Sequence, residues 1–187
     1  EVSKGLGLTV LGSVPVIPHR VIAHLNNPSK RHHEWRARLT EAVDGIMARL
    51  LRKANIQDTR TVLVSSAVSG EGKTTLTTQL AMSMARNGHR TVLVDLDMRH
   101  PSLHHVFGVD VEPGFSEIVR GECALKDAVK EVNNRLSFLS AGSWDRSVMA
   151  SMTGGMAERI LQELREEYDF VIIDSSPILP VADTRFI

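Results

Sequence analysis

One lysine, two threonines and three aspartates stand at spacings that suit a polyphosphate and a hard cation. The segment Ala67-Val68-Ser69-Gly70-Glu71-Gly72-Lys73-Thr74 fits the pattern G-x-x-x-x-G-K-[ST], with Ala67 where the first glycine usually stands. Glycines in such a loop let successive backbone N–H groups turn inward as an anion nest, with no Cβ in the path of the phosphate. On this pattern Ser69, Gly70, Glu71 and Gly72 form the cradle and Lys73 bridges the β- and γ-phosphates. Thr74 presents its hydroxyl to Mg²⁺, and Thr75 donates to the α-phosphate. The chemistry is that of a nucleoside triphosphate bound with magnesium.

Two further segments end in carboxylates. Val92-Leu93-Val94-Asp95-Leu96-Asp97-Met98-Arg99 and Val171-Ile172-Ile173-Asp174-Ser175-Ser176-Pro177 each follow an apolar run. Ligands collect at the carboxyl ends of strands in open α/β sheets. Asp174 has the apolar-run-then-Asp form of a Walker B motif, suited to holding Mg²⁺ directly or through a water. Asp95 joins Thr74 and Asp174 as a candidate metal residue. Asp97 lies two residues beyond Asp95, where the two share a face only if the strand continues. Arg99 has three readings: a partner for Asp97, a contact to phosphate, or a residue of a subunit contact.

These residues need a scaffold that brings distant segments together. Thr61–Val64 and Thr91–Val94 are short β-branched runs, and Leu136–Leu139 and Phe170–Ile173 are two more strand candidates. Between the first two, Leu76, Leu80 and Met84 recur four apart in the segment Thr74–Asn87, which predicts a helix closed by Gly88. Met156, Ile160 and Leu164 predict another over Gly155–Glu167. Strands that are continuous apolar runs are buried on both faces, the mark of a mostly parallel sheet with crossover helices. Such an α/β order places a helix N-terminus directly after the glycine loop, where its dipole favours an anion. Upstream, Trp35, Leu39, Val43, Ile46 and Leu50 form one apolar stripe, predicting a helix from about His32 to Lys53. Residues 1–31, with Pro15, Pro18 and Pro28, read as a lead-in of juxtamembrane type, and 32–187 as the nucleotide-binding domain.

The 187 residues carry 22 basic and 22 acidic side chains, so no nucleic-acid or anionic-surface function can rest on net charge. The one cysteine, Cys123, excludes an internal disulfide, suits a reducing compartment, and reads as a small apolar filler. No stretch approaches the roughly 20 apolar residues that span a bilayer. A chain that opens on Glu1 and ends at Ile187 in mid-pattern reads as a piece of a longer polypeptide, its α/β domain incomplete at the C-terminus.

Together the three motifs resemble the Walker A, Walker A′ and Walker B of bacterial tyrosine kinases, the cytoplasmic domains linked to polysaccharide chain-length and export proteins. Ser65–Thr75, Val92–Arg99 continuing into His100-Pro101-Ser102-Leu103, and Val171–Pro177 carry the likeness. Gly12-Ser13-Val14-Pro15, Pro113-Gly114-Phe115-Ser116, Gly121-Glu122, Ala141-Gly142 and Pro177 through Asp183 extend it. The resemblance implies Mg-ATP-dependent autophosphorylation on tyrosine. Catalytic work would fall to Lys73, Asp95 and Asp97, with Asp95 assisting the attacking hydroxyl and Lys73 stabilising the phosphoryl group. It also implies a membrane polysaccharide co-polymerase or transmembrane activator segment as partner, a place at the inner face of the cell membrane, and a homo-oligomer. Two departures stand out. Glu41 is followed by Asp44 and Met47 where the family carries E-x-x-R-x-x-R, and the chain has one tyrosine, Tyr168, instead of a cluster. A catalytically poor nucleotide-binding regulator of the export assembly is therefore an alternative reading. A partitioning-type ATPase is the other, opposed by Val68 at the position of that group's signature lysine.

Other conspicuous residues have plainer readings. His32-His33 and His104-His105 lack a second cluster at ligand spacing. Glu163, Arg165, Glu166 and Glu167 read as a solvated helix end, Tyr168 as a packing or strand-entry residue, and Trp144 as a residue that packs or else covers a nucleotide, with packing the plainer reading.

Overall fold

A computed structural model describes residues 7–16, 30–57, 59–148 and 155–178. The expectations for Pro18 and Pro28, for the side chains of His32 and His33, and for Leu179 through Asp183 lie outside those residues. The chain divides into two compact units, Glu1–Thr59 and Arg60–Ile187.

In the first unit, α1 (Lys30–Gln57) runs further at both ends than the stripe predicts. Leu39, Val43, Ile46 and Met47 are buried, with Trp35 and Leu50 half-buried on the same side. The segment at residues 7–16 has no regular structure. It approaches α1 so closely at Gly12 that a Cβ there would lie 2.6 Å from the Ile46 side chain, and the Arg49 guanidinium donates to the Leu11 carbonyl. Here the absence of a side chain is what permits the contact.

The second unit is an α/β layer structure. Its elements are β1 (Thr61–Val64), α2 (Lys73–Arg86), β2 (Thr91–Leu96), α3 (Leu103–Phe107), α4 (Phe115–Val119), α5 (Leu125–Ala128), β3 (Val129–Asn133), β4 (Leu136–Leu139), α6 (Met156–Glu167) and β5 (Phe170–Ser175). The five strands lie in the order β1-β5-β2-β4-β3. The first four of these run parallel, as predicted, and β3 is antiparallel to β4.

Alternation along the strands sorts the core onto two faces. Val92, Val94, Leu139, Val171 and Ile173 face Phe115, Ile118, Val119, Ala128, Ile160 and Leu164, so α4, α5 and α6 cover one side. The helix α2 packs on β5 and β2 from the other side, burying Leu80, Ala81 and Met84. The predicted two-sided burial holds for the central strands β2 and β5. It fails for β1, an edge strand whose Leu63 is 60% exposed.

The strand β3 and the short helices α3, α4 and α5 have no counterpart in the sequence reading. Val129-Lys130-Glu131-Val132-Asn133 is a half-polar edge strand, and helices of four or five residues are too short to show a period. Both central strands also run two residues past their apolar stretch, through Asp95-Leu96 and Asp174-Ser175. That extension places the carboxylates on strand backbone.

Candidate functional site

Register builds the site. Asp95 of β2 lies directly opposite Asp174 of β5, and Asp174 lies opposite Val64, the last residue of β1. The glycine loop leaves β1 at this same edge and enters α2 at Lys73. Both aspartates are 1% exposed and Lys73 is 9% exposed.

The loop takes the conformation that its glycines permit. Gly70 and Gly72 have φ of 83° and 86°, left-handed values that cost a residue with a Cβ roughly 1 kcal/mol or more. Open space surrounds both, with no atom within 4 Å of where a Cβ would sit. Gly72 is the N-cap of α2, and its carbonyl accepts from the N–H of Leu76 at 2.9 Å. The N–H groups of Lys73, Thr74 and Thr75 therefore form the first turn of a 14-residue helix, where donors lack intrahelical partners. Glu71 turns away from that turn. Its Oε2 accepts from the N–H of Ala67 at 2.9 Å and of Val68 at 3.3 Å, so its carboxylate braces the loop's entry.

Thr74 and Asp174 meet as the motifs predict. The Thr74 hydroxyl donates to Asp174 Oδ2 at 2.7 Å, and the Thr77 hydroxyl shares its one proton between the Lys73 carbonyl at 2.5 Å and Asp174 Oδ1 at 3.0 Å. Thr77, one turn beyond Thr74, escaped the sequence reading, although an i, i+3 pair of threonines on one helix face was visible in the sequence. The Asp95 carboxylate accepts from two backbone N–H groups, Asp97 to Oδ1 at 3.0 Å and Leu103 to Oδ2 at 3.3 Å. Asp97 just follows β2 and is drawn toward β5, accepting from the Ser176 hydroxyl at 2.9 Å and from the N–H of His100 at 3.3 Å. Ser176 is thus a second site residue that the sequence reading missed. Arg99 is exposed and lines a cleft with Trp144.

Burial dominates the electrostatics. It pushes the Asp95 carboxyl up to about 7, against the two N–H bonds and with help from the charges of Asp174 and Asp97. Burial also raises Asp174, opposed by the Thr74 and Thr77 hydrogen bonds and the Lys73 ammonium, with the charge of Asp97 adding to the rise. Two buried carboxylates face each other with Lys73 as the cation beside them. That arrangement, with the Thr74 hydroxyl, offers hard oxygen donors to an under-neutralised spot. Among the described residues no three His, Cys, Asp or Glu side chains gather into a cage. The donor set therefore fits Mg²⁺, which keeps several waters and shares phosphate oxygens, better than an ion that needs an all-protein cage.

Several plain readings also meet the structure. Trp144 is 40% exposed on the loop after β4, so it packs only in part and leaves part of its ring to solvent. Cys123 and Tyr168 pack at the margin of the core, and Tyr168 is the extended residue that leads α6 into β5. His104 and His105 stack on each other with ring centroids 3.9 Å apart. No helix among the described residues is long and apolar enough to cross a membrane.

A family model described as an AAA domain matches residues 59–185. The chain is 27% identical over 160 residues to CapB of Staphylococcus aureus, covering 85% of this chain and 70% of CapB. It is 30% identical over 129 residues to the tyrosine-protein kinase YwqD of Bacillus subtilis, covering 68% of this chain and 54% of YwqD. The solved BceF tyrosine kinase domain superposes with a TM-score of 0.80 at 28% identity, over 95% of this chain and 75% of that one. The chain thus spans about half the length of YwqD and 70% of CapB. On the matched domain and these likenesses, the chain belongs to the AAA-domain family, among the homologues of bacterial tyrosine-kinase domains.

Proposed function

We propose that this chain is the Mg-ATP-dependent catalytic domain of a protein tyrosine kinase that acts on itself and regulates exopolysaccharide or capsule synthesis and export. The observation that carries the reading is the in-register pair Asp95 and Asp174, joined through Thr74 to the phosphate loop. Relatives named as tyrosine kinases support the choice of acceptor.

In this reading the N–H groups of Ser69 through Thr75 and the Lys73 ammonium would hold the triphosphate, and Thr74, Asp174 and Asp95 would hold the metal. Bound Mg²⁺ would supply neutralisation of the triphosphate's charge. Thr77 keeps Asp174 oriented, and Ser176 does the same for Asp97. A tyrosine phenol attacks the γ-phosphorus, forming an O–P bond as the bond to the β–γ bridging oxygen breaks and ADP leaves. The phenolic proton passes to Asp95, the buried carboxylate that lies in register with Asp174. Lys73 stays over the transferring group, so positioning and charge stabilisation do most of the work. The Glu71 carboxylate braces the loop's entry while its backbone N–H stays in the cradle, and Arg99 serves the acceptor side.

A membrane polysaccharide co-polymerase or activating transmembrane segment, a site of action at the inner membrane face and self-association belong to the same proposal. They rest on the motif resemblance and the relatives. The test is incubation of the protein with γ-labelled ATP and Mg²⁺. Label on tyrosine that disappears in Lys73→Met and Asp95→Asn supports the reading. Nucleotide binding with no labelled tyrosine in the protein or an added tyrosine polymer would replace it with the regulator reading.

A further inference from the structure

A second concavity opens beside the site, on the side away from the phosphate loop. It is a cleft of about 670 Å³ lined by Met98, Arg99 and Pro101 after β2, by His104 and Val111, and by Gly142, Ser143 and Trp144 after β4. Its size lies within the common range for sites that take a side chain and its neighbours, roughly 300–1,000 Å³.

Strand order fixes what this cleft can face. Reading across the sheet, the phosphate loop follows β1, Asp174 stands on β5, Asp95 on β2, and the cleft lies past the ends of β2 and β4. Neighbouring strands are about 4.8 Å apart, so the cleft begins on the order of one strand spacing beyond Asp95. The carboxylates therefore separate the triphosphate from the cleft. In-line phosphoryl transfer needs its donor and acceptor on opposite sides of the transferring group.

The lining is chemically mixed in an informative way. Trp144 is a large aromatic 40% exposed, and Met98, Pro101 and Val111 supply apolar walls near it. Arg99 brings an exposed cation to the same rim. An aromatic ring stacked on Trp144 gains contact that water does not provide, and Arg99 favours a carboxylate beside that ring.

The wall is rigid where it must be. Glu117, buried on α4, accepts from the N–H of Ser143 at 2.9 Å and from the N–H of Gly114 at 2.7 Å. Arg120 donates to the Ser143 carbonyl at 2.8 Å and to Glu117 at 2.7 Å, and pairs with Asp145 at 3.5 Å. Gly142 packs so tightly on the Glu117 carboxylate that a Cβ there would collide with it. The residues on either side of Trp144 are thereby pinned to α4, so the indole is presented on a preorganised loop.

We propose that this cleft is the acceptor subsite, taking an acidic tyrosine-bearing peptide segment whose phenol ring packs on Trp144 and whose flanking carboxylates face Arg99. The inference rests on the kinase reading for the identity of the acceptor.

The test uses a random Glu/Tyr copolymer as probe, with wild-type chain, Trp144→Ala and Trp144→Phe. At saturating Mg-ATP, Trp144→Ala should raise the KM for copolymer about tenfold, as expected for loss of stacking and burial together worth about 1.4 kcal/mol. Trp144→Phe should restore most of that loss, and the KM for ATP should stay unchanged in both. Binding of fluorescently labelled copolymer, measured with a non-hydrolysable ATP analogue, gives a readout that needs no transfer. Binding that depends on Trp144 without transfer in the wild type would retain the cleft and reject the kinase reading. Transfer with the same copolymer KM in wild type and Trp144→Ala would overturn the cleft and leave the kinase reading standing. A Lys/Tyr copolymer that binds as tightly as the Glu/Tyr one would overturn the acidic class.

Discussion

Thr74 and Asp174, 100 residues apart in sequence, share a hydrogen bond of 2.7 Å. The bond closes a short circuit between the first turn of α2 and the end of β5, and it puts the hydroxyl and the carboxylate where one hard cation could touch both. Thr77 completes the arrangement by occupying the other oxygen of Asp174 at 3.0 Å. Asp174 thus reaches any bound metal already oriented.

The first prediction concerns that orientation. Thr77→Val keeps the shape of the side chain and removes one bond to Asp174. Outer-shell changes of this sort typically cost about 10–100-fold in metal affinity. The Mg²⁺ concentration for half-maximal nucleotide binding should rise by that order, while affinity for nucleotide at saturating Mg²⁺ changes little. Titration of Mg²⁺ against a fluorescent ATP analogue measures both, and an unchanged Mg²⁺ midpoint would remove Thr77 from the account.

Lys73 offers a second check through stability. A ligand that binds only the native state raises stability by about 2.7 kcal/mol when present at about 100 times its Kd. Wild-type chain should therefore melt at higher temperature with Mg-ATP, and Lys73→Ala should lose the upshift at the same nucleotide concentration. Differential scanning fluorimetry with and without nucleotide reads this out; an equal upshift in the variant would move the phosphate site elsewhere.

Asp95 makes stability depend on pH in a direction opposite to that of a salt-bridged aspartate. Its folded-state carboxyl is raised from 3.8 to about 7 by burial, so the native state holds the proton over a range in which the unfolded chain has released it. The contribution is fully present below about pH 4 and is lost as pH climbs through 7. Asp95→Asn, which cannot ionise, should gain on the wild type across that window, by at most about 4 kcal/mol at one pKa unit per 1.36 kcal/mol. Denaturant melts of metal-free protein at pH 4.5 and 7.5 test this, and a constant difference between variant and wild type would contradict it.

The buried Glu117–Arg120 pair predicts a structural penalty. Glu117→Ala would strip partners from the N–H groups of Gly114 and Ser143, while Arg120 would keep its contacts to Glu122 and the Ser143 carbonyl. Leaving a buried N–H group without a partner costs about 1–3 kcal/mol. Chemical denaturation should show a loss of that order, whereas Arg90→Ala, which breaks an exposed pair with Asp169, should cost under about 1 kcal/mol. Equal costs for the two variants would mean that Glu117 is not the brace of the loop after β4.

How much of this could be read from residues alone differs from element to element. The parallel strands announce themselves through continuous apolar runs, because a strand covered on both faces has no polar side to show. The strand β3 hides because it lies at the sheet edge, where Lys130 and Glu131 tolerate water. Thr74, Lys73 and Asp174 were legible because phosphate and metal chemistry dictates both residue type and spacing. Thr77 and Ser176 were not singled out, since a hydroxyl acquires its role only from the carboxylate that folding sets beside it. Trp144 is a middle case: an aromatic residue is most often packed, and the structure leaves 40% of this one exposed. Glu71 matched the loop pattern by position, yet its carboxylate serves the loop's backbone, a distinction that no spacing rule carries.

The central claim is that phosphate leaves ATP for a tyrosine hydroxyl, and not for water. Counting ADP and phosphotyrosine in one reaction, with Mg-ATP and a Glu/Tyr copolymer present, measures this directly. The account predicts one phosphotyrosine for each ADP released, with both products lost in Lys73→Met. ADP accompanied by an equal amount of inorganic phosphate, with no phosphotyrosine, would contradict it.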